Sequence, residues 1–238
     1  ECPQMFQIGP RWYLLTSIYH RKSVGGPVYY IASQPEGPWT FGGMLDGKDL
    51  CAAQLARDEE SRHLLYGWIP LAPATAEKQL WGGHLALARE VYALPDGSLA
   101  TRLAPGIAST LEKLDWHTHD GDSPALIESC RQFGVNLTIS SPDEAAFRLD
   151  FTPMGFVELL KDQIRICDAR MTCWSSLNVH WMSDTNVSVF VEEDRVEVFA
   201  DDRWSLCARL PKVNAPLRLS WQGTKPRNIQ TSRLQTSP

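Results

Sequence analysis

Short runs in which apolar and polar residues alternate, cut by turn residues, dominate the chain. Alternation with a period of two buries one face of a strand and wets the other, so these runs predict β-strands. Arg11 to Ile18 (RWYLLTSI) and Pro27 to Ser33 (PVYYIAS) are rich in aromatic and β-branched residues, which pack well on a pleated surface. A further strand is predicted over His63 to Ile69, ending at Pro70. Another runs over Leu85 to Leu94, closed by the hairpin signal Pro95-Asp96-Gly97. Gly25-Gly26-Pro27, Pro35-Glu36-Gly37-Pro38, Gly42-Gly43 and Asp46-Gly47 are turn chemistry. Downstream, Val135 to Ser140, Ala146 to Phe151, Val187 to Val191 and Arg195 to Phe199 alternate in the same way, as in two facing sheets.

A polar stretch interrupts this pattern around Pro105 to Pro124, with a short helix predicted over Ser109 to Leu114. Ser123 to Gly134 reads two ways: Ser123-Pro124 suits a helix N-cap with Pro at the first helical position, while its neighbours suit a strand. Thr224 to Pro238 is polar and aperiodic and reads as a frayed tail. The expected organisation is an all-β unit over residues 1–105, a connector over 106–124, a second all-β unit over 125–223 and a tail over 224–238. Strands at this spacing suit a propeller, a sandwich or a barrel.

The chain has 238 residues, 43% of them hydrophobic, enough for one large core or two modest ones. A net charge of -5 argues against a nucleic-acid partner, because neutralising phosphates takes concentrated Lys and Arg. No apolar stretch approaches the length of a bilayer span, so no membrane partner is expected, and the compartment stays open between secreted and cytoplasmic. The six cysteines (Cys2, Cys51, Cys130, Cys167, Cys173, Cys207) are scattered without a CxxC pair, which disfavours a zinc site. His117-Thr118-His119-Asp120-Gly121-Asp122 could present alternate residues to a metal if extended. Glu192-Glu193-Asp194 and Asp201-Asp202 read as acidic turns, with calcium a weaker reading. Asn136-Leu137-Thr138 and Asn186-Val187-Ser188 fit the glycosylation sequon. The absence of a GxSxG elbow, a Walker loop and a strand-linked GxGxxG removes the common nucleophile and nucleotide signatures, and no cofactor is expected. Nine tryptophans supply indoles that either fill cores or stack on sugar faces.

Four blocks stand in a fixed order: Glu1-Cys2-Pro3 followed by QMFQIG and WYLL, then Asp46 to Gln54 (DGKDLCAAQ), Tyr66-Gly67-Trp68-Ile69, and Trp81 to Glu90 (WGGHLALARE). Their order and spacing resemble the second half of glycoside hydrolase family 32, the invertases, inulinases and levanases. Arg195 to Arg209 (RVEVFADDRWSLCAR) resembles the strand-turn-strand near the end of that family's C-terminal domain, and Phe147 to Leu160 resembles an earlier hairpin there. The resemblance covers residues 1 to about 222. It implies an all-β fold: the later blades of a five-bladed β-propeller followed by a C-terminal β-sandwich, the latter a surface on which the chain could pair as a homo-oligomer.

The activity implied is hydrolysis of terminal β-D-fructofuranosides, sucrose or fructans, by retaining double displacement, with two carboxyl groups roughly 5 Å apart as nucleophile and acid/base. The resemblance assigns the acid/base to Glu1, whose pKa burial and an anionic neighbour should raise. It makes Asp49, and more weakly Asp46, hydrogen-bond partners of sugar hydroxyls, and Trp68 a stacking surface or an inter-blade core residue. Cys51 stands where relatives carry Tyr, so it loses a hydroxyl and an aromatic face at a substrate-contacting position. Trp81 and His84 are expected to be structural.

The family's Asn-Asp-Pro-Asn and Arg-Asp-Pro blocks, which carry its nucleophile and a transition-state-stabilising Asp, occur nowhere in this chain. The expected partner is therefore an N-terminal propeller segment carrying the nucleophile. An α-ammonium beside Glu1 would favour its carboxylate, so a peptide bond or a partner chain is expected there in the active form. The alternative is a non-catalytic carbohydrate-binding or scaffold remnant of the same fold. A five-bladed glycosidase acting on arabinosides or xylosides is a third reading, which the ECP and WGG blocks disfavour.

Overall fold

The computed structural model describes residues 1–21, 24–70, 82–119, 132–140, 146–181 and 184–234. The first strands are β1 (Gln4–Ile8), β2 (Arg11–Arg21), β3 (Val24–Ala32) and β4 (Thr40–Met44), which form one antiparallel sheet in chain order. Next come β5 (Cys51–Arg57), β6 (His63–Pro70), β7 (Gly83–Leu85), β8 (Arg89–Ala93) and β9 (Leu99–Leu103), in the order β5-β6-β8-β9 with β7 paired to β6. Both are antiparallel meanders, the topology of propeller blades. They share a core of Phe6, Tyr13, Leu15, Tyr29, Leu50, Leu55, Leu65, Ile69 and Val91, among others. The alternation that predicts these strands also decides their faces: along β5, Cys51, Ala53 and Leu55 point inward while Ala52, Gln54 and Ala56 face water.

After the helix α1 (Pro105–Leu111) the chain adds β10 (His117–Thr118), β11 (Gln132–Ile139), β12 (Phe147–Thr152), β13 (Gly155–Leu160), β14 (Gln163–Asp168) and β15 (Cys173–Asn178). It ends with β16 (Thr185–Glu192), β17 (Arg195–Ala200), β18 (Trp204–Arg209), β19 (Arg218–Gly223) and β20 (Arg227–Arg233). These strands make a six-stranded sheet, β10-β20-β11-β16-β17-β18, and a five-stranded sheet, β15-β14-β13-β12-β19. Inward residues of both, including Val135, Leu137, Leu149, Phe151, Ile164, Val189 and Val198, form one continuous core. The two sequons face each other across β11 and β16. Thr138 Oγ1 donates to Asn186 Oδ1 at 2.9 Å and Ser188 Oγ to Asn136 Oδ1 at 2.6 Å.

The all-β class stands; the described residues form four sheets, and the third and fourth take their strands from interleaved parts of the chain. Other expectations shift for physical reasons. Gly25 and Gly26 lie inside β3, not in a turn. A Cβ on Gly26 would sit 2.1 Å from Gly47 O, so glycine is needed there for close approach, at φ +103°. The run Leu85 to Leu94 splits into β7 and β8, because Leu87 N turns away from the ladder to a carboxylate oxygen of Glu197 at 3.0 Å. The helix starts earlier than predicted, with Pro105 in its first turn, where the missing N–H costs nothing. The polar tail is in part a strand: β20 lies between β10 and β11, with Ile229, Thr231 and Ser232 buried. Cys130, Ser123-Pro124, Asp120 and Asp122 lie outside the described residues. Among the described residues no cluster could hold a metal ion, and no helix is long and apolar enough to cross a membrane.

Candidate active site

Glu1, Asp49, Cys51 and Trp68 come together where the first two sheets meet. The junction is built by polar side chains that bond to backbone. The amide of Gln4 clamps Leu55 from both ends, Nε2 donating to Leu55 O at 2.8 Å and Oε1 accepting from Leu55 N at 2.7 Å. Ser17 Oγ accepts from Ala53 N at 3.1 Å, tying β2 to β5. The β1–β2 ladder continues outward to Glu1, whose N donates to Ser17 O at 2.7 Å while Ser17 N donates to Glu1 O at 2.9 Å. Glu1 is thereby fixed by its backbone beside β5, with its residue surface exposed. The burial that its expected acid role calls for is not supplied by the described residues.

Two residues here hold left-handed backbone without being glycine: Cys2 at φ 51° and Ala52 at φ 49°. Such conformations each cost on the order of 1–3 kcal/mol and gather at functional sites. Ala52 lies in the register shift of the β5–β6 ladder, between the pairs Cys51↔Trp68 and Gln54↔Tyr66. That shift sets Cys51 opposite Trp68. The Trp68 indole lies against Gly83, where an added Cβ would come within 2.1 Å of Nε1. Trp68 is half-buried, so both readings of it, stacking surface and inter-strand packing, have their geometry.

The electrostatics centre on Asp49, in the turn before β5. Burial raises its carboxyl to about 7, against the lowering effects of Lys48 and the Arg209 backbone N–H, with Asp46 and Cys173 adding to the rise. Near neutral pH this carboxyl both donates and accepts hydrogen bonds, the chemistry a sugar hydroxyl needs. The Cys51 thiol is pushed up to about 11 by burial and by the charges of Asp49 and Glu1.

Asp46 does not belong to an open site. It is fully buried and its oxygens are used: Oδ1 accepts from Gly47 N at 2.7 Å and Cys207 N at 2.9 Å, Oδ2 from Arg89 at 3.0 Å and Ser205 Oγ at 3.1 Å. The expectation that it contacts sugar is corrected: Asp46 joins the second sheet to β18. Arg89 also pairs with Glu197 at 2.9 Å, and Arg195 approaches Glu197 at 3.5 Å. The buried row Asp46–Arg89–Glu197–Arg195 balances two carboxylates with two guanidinium groups, as burial of charge demands. Motif reading did not single out Arg89 or Glu197. The available signal was a charge inside an otherwise apolar strand (RVEVFA), where burial implies a partner. His84 is exposed, and burial, Arg209 and Arg195 lower its pKa. Trp81 lies outside the described residues.

No family model matches the chain, and no curated protein does. Solved structures do. Sucrose-6-phosphate hydrolase from Lactobacillus gasseri superposes with a TM-score of 0.74 at 14% identity, over 99% of this chain and 54% of that one. A glycoside hydrolase family 32 protein from Bifidobacterium adolescentis gives 0.70 at 17% identity, over 99% and 41%. A Bombyx mori family 32 β-fructofuranosidase variant in complex with sucrose gives 0.70 at 16%, over 99% and 54%. The chain has the fold of these family 32 structures. It spans about half of their length. Within the family 32 fold, the ECP, DGKDLCAAQ and GW blocks converge on the junction of the first two sheets, while Asp46 and Arg89, from two of the family-like blocks, lock that junction to the six-stranded sheet.

Proposed function

We propose that the chain is part of a glycoside hydrolase acting on terminal β-D-fructofuranosides, sucrose or fructans, by retaining double displacement. Glu1 is the acid/base, Asp49 and Trp68 with Cys51 form part of the fructose pocket, and the nucleophile Asp is carried by a propeller segment other than this chain. β1 to β9 are two blades of a five-bladed propeller. The two later sheets form the C-terminal sandwich, a reading supported by their single shared core. The observation that carries the function is the convergence of Glu1, Asp49, Cys51 and Trp68 at one junction on a fold whose solved examples include a fructofuranosidase with sucrose bound.

The second reading is a non-catalytic carbohydrate-binding or scaffold remnant of the same fold. The discriminating experiment measures fructose release from sucrose and inulin by the native protein, with intact mass read under denaturing conditions on the same sample. Fructose release together with a species heavier than 26.7 kDa, or with a co-purifying partner, supports the hydrolase. In that material Glu1→Gln should lose roughly 10²–10⁴-fold on sucrose, the usual worth of a general acid. Sugar binding without fructose release from any species places the remnant first.

A further inference from the structure

Cys167 and Cys173 stand opposite each other on adjacent strands. The β14–β15 ladder shifts register between Ile166↔Ser175 and Cys167↔Cys173, so Trp174 is the extra residue and Cys173 replaces it across from Cys167. Bulges re-aim side chains in this way. The connecting turn is held by Asp168, whose Oδ1 accepts from Arg170 N at 2.8 Å and Thr172 N at 2.9 Å, and whose Oδ2 accepts from Trp174 Nε1 at 3.0 Å. Facing residues of an antiparallel pair have Cα atoms about 4.5–5.5 Å apart, within the roughly 4.4–6.8 Å that a disulfide spans.

The two thiols differ in kind. Cys173 is exposed and Cys167 is buried. Cys173 Sγ donates to Ser175 O at 3.5 Å; the facing Cys167 and the charges of Arg165 and Lys48 lower its pKa against the effect of burial. The facing Cys173 and burial raise Cys167. Cys51 and Cys207, by contrast, are buried thiols pushed upward.

We propose that Cys167 and Cys173 form a peroxide-sensitive dithiol, a modification site in which Cys173 is the attacking sulfur and Cys167 the resolving one. The Cys173 thiolate attacks a peroxide oxygen: an S–O bond forms, the O–O bond breaks, and the departing hydroxide takes a proton and leaves as water. Cys173 is then a sulfenic acid. With its thiolate partner gone, the Cys167 thiol gives up its proton and attacks the Cys173 sulfur. The S–S bond forms, the S–O bond breaks, and hydroxide leaves as water with that proton. Two thiols and hydrogen peroxide become a disulfide and two waters, the two electrons passing to the peroxide. The site is independent of the fructoside reading.

The test treats the whole protein with hydrogen peroxide at pH 7, blocks remaining thiols with N-ethylmaleimide and reads mass before and after trypsin. The expected result is a loss of about 2 Da, two fewer maleimides, and a link between the peptide holding Cys167 and that holding Cys173, which cleavage at Arg170 separates. Cys167→Ser should leave a Cys173 sulfenic acid that dimedone traps, and Cys173→Ser should leave Cys167 unreacted. Without peroxide, maleimide labelling of the exposed Cys173 should outpace that of the buried Cys167. Peroxide that leaves both thiols free, or that drives Cys173 to sulfinic acid while Cys167 remains free, overturns the proposal.

Discussion

Replacing Asp46 by Ala separates the structural role seen here from the sugar-contacting role that the motif alone implies. The side chain has four bonded partners, two of them the buried N–H groups of Gly47 and Cys207. Leaving a buried donor unsatisfied costs about 1–3 kcal/mol each. Arg89 keeps Glu197, so its charge is not stranded, and the loss falls at the lower end of the roughly 3–5 kcal/mol expected for breaking a buried pair. With a urea dependence of about 2–3 kcal/mol per molar, a loss of roughly 3 kcal/mol moves the unfolding midpoint down by about 1–1.5 M. Glu60→Ala is the control: its pair with Arg62, at 2.8 Å, lies in water and is worth about 0–1 kcal/mol. The assay is urea unfolding followed by Trp fluorescence, with sugar binding measured on the folded variant. An Asp46→Ala midpoint within error of Glu60→Ala, with weakened sugar binding, would refute the buried-network account.

Asp49 makes a pH prediction of definite sign. Its folded pKa, about 7, lies above the ordinary carboxyl value of 3.8, so the unfolded chain ionises first. Stability from this group is complete below about pH 4, declines as pH rises, and is lost by about pH 7. Asp49→Asn should therefore match wild type in Tm near pH 4 and exceed it at pH 8; parallel Tm profiles would show the carboxyl to be solvated. Gly26→Ala places a Cβ 2.1 Å from Gly47 O at φ +103° and should cost at least about 2 kcal/mol, read as a fall in Tm. Gln4→Ala leaves both backbone groups of Leu55 without their side-chain partner and should cost about 1–3 kcal/mol in urea unfolding.

The sequence by itself located those strands that alternate clearly, such as β2, β6, β11 and β17, because a local period of two buries one face and wets the other. It also placed the Pro95-Asp96-Gly97 hairpin, where Gly97 N closes on Leu94 O at 2.8 Å with φ +86°. The order and spacing of the ECP, DGKDLCAAQ and GW blocks were enough to anticipate the family 32 fold. The fates of the acids were not legible. Asp46 and Asp49 lie three residues apart in one turn, yet one is sealed against Arg89 and Cys207 while the other stays half-buried just before β5. That difference depends on which distant strand covers each carboxyl, and no local pattern carries it. β20 was hidden for a related reason: Arg227–Arg233 holds one large apolar residue, Ile229, and only the sheet between β10 and β11 makes that residue, Thr231 and Ser232 interior. The pairing of Cys167 with Cys173 likewise rests on the bulge at Trp174. Burial and charge pairing are properties of neighbours in space, and only the tertiary structure decided them.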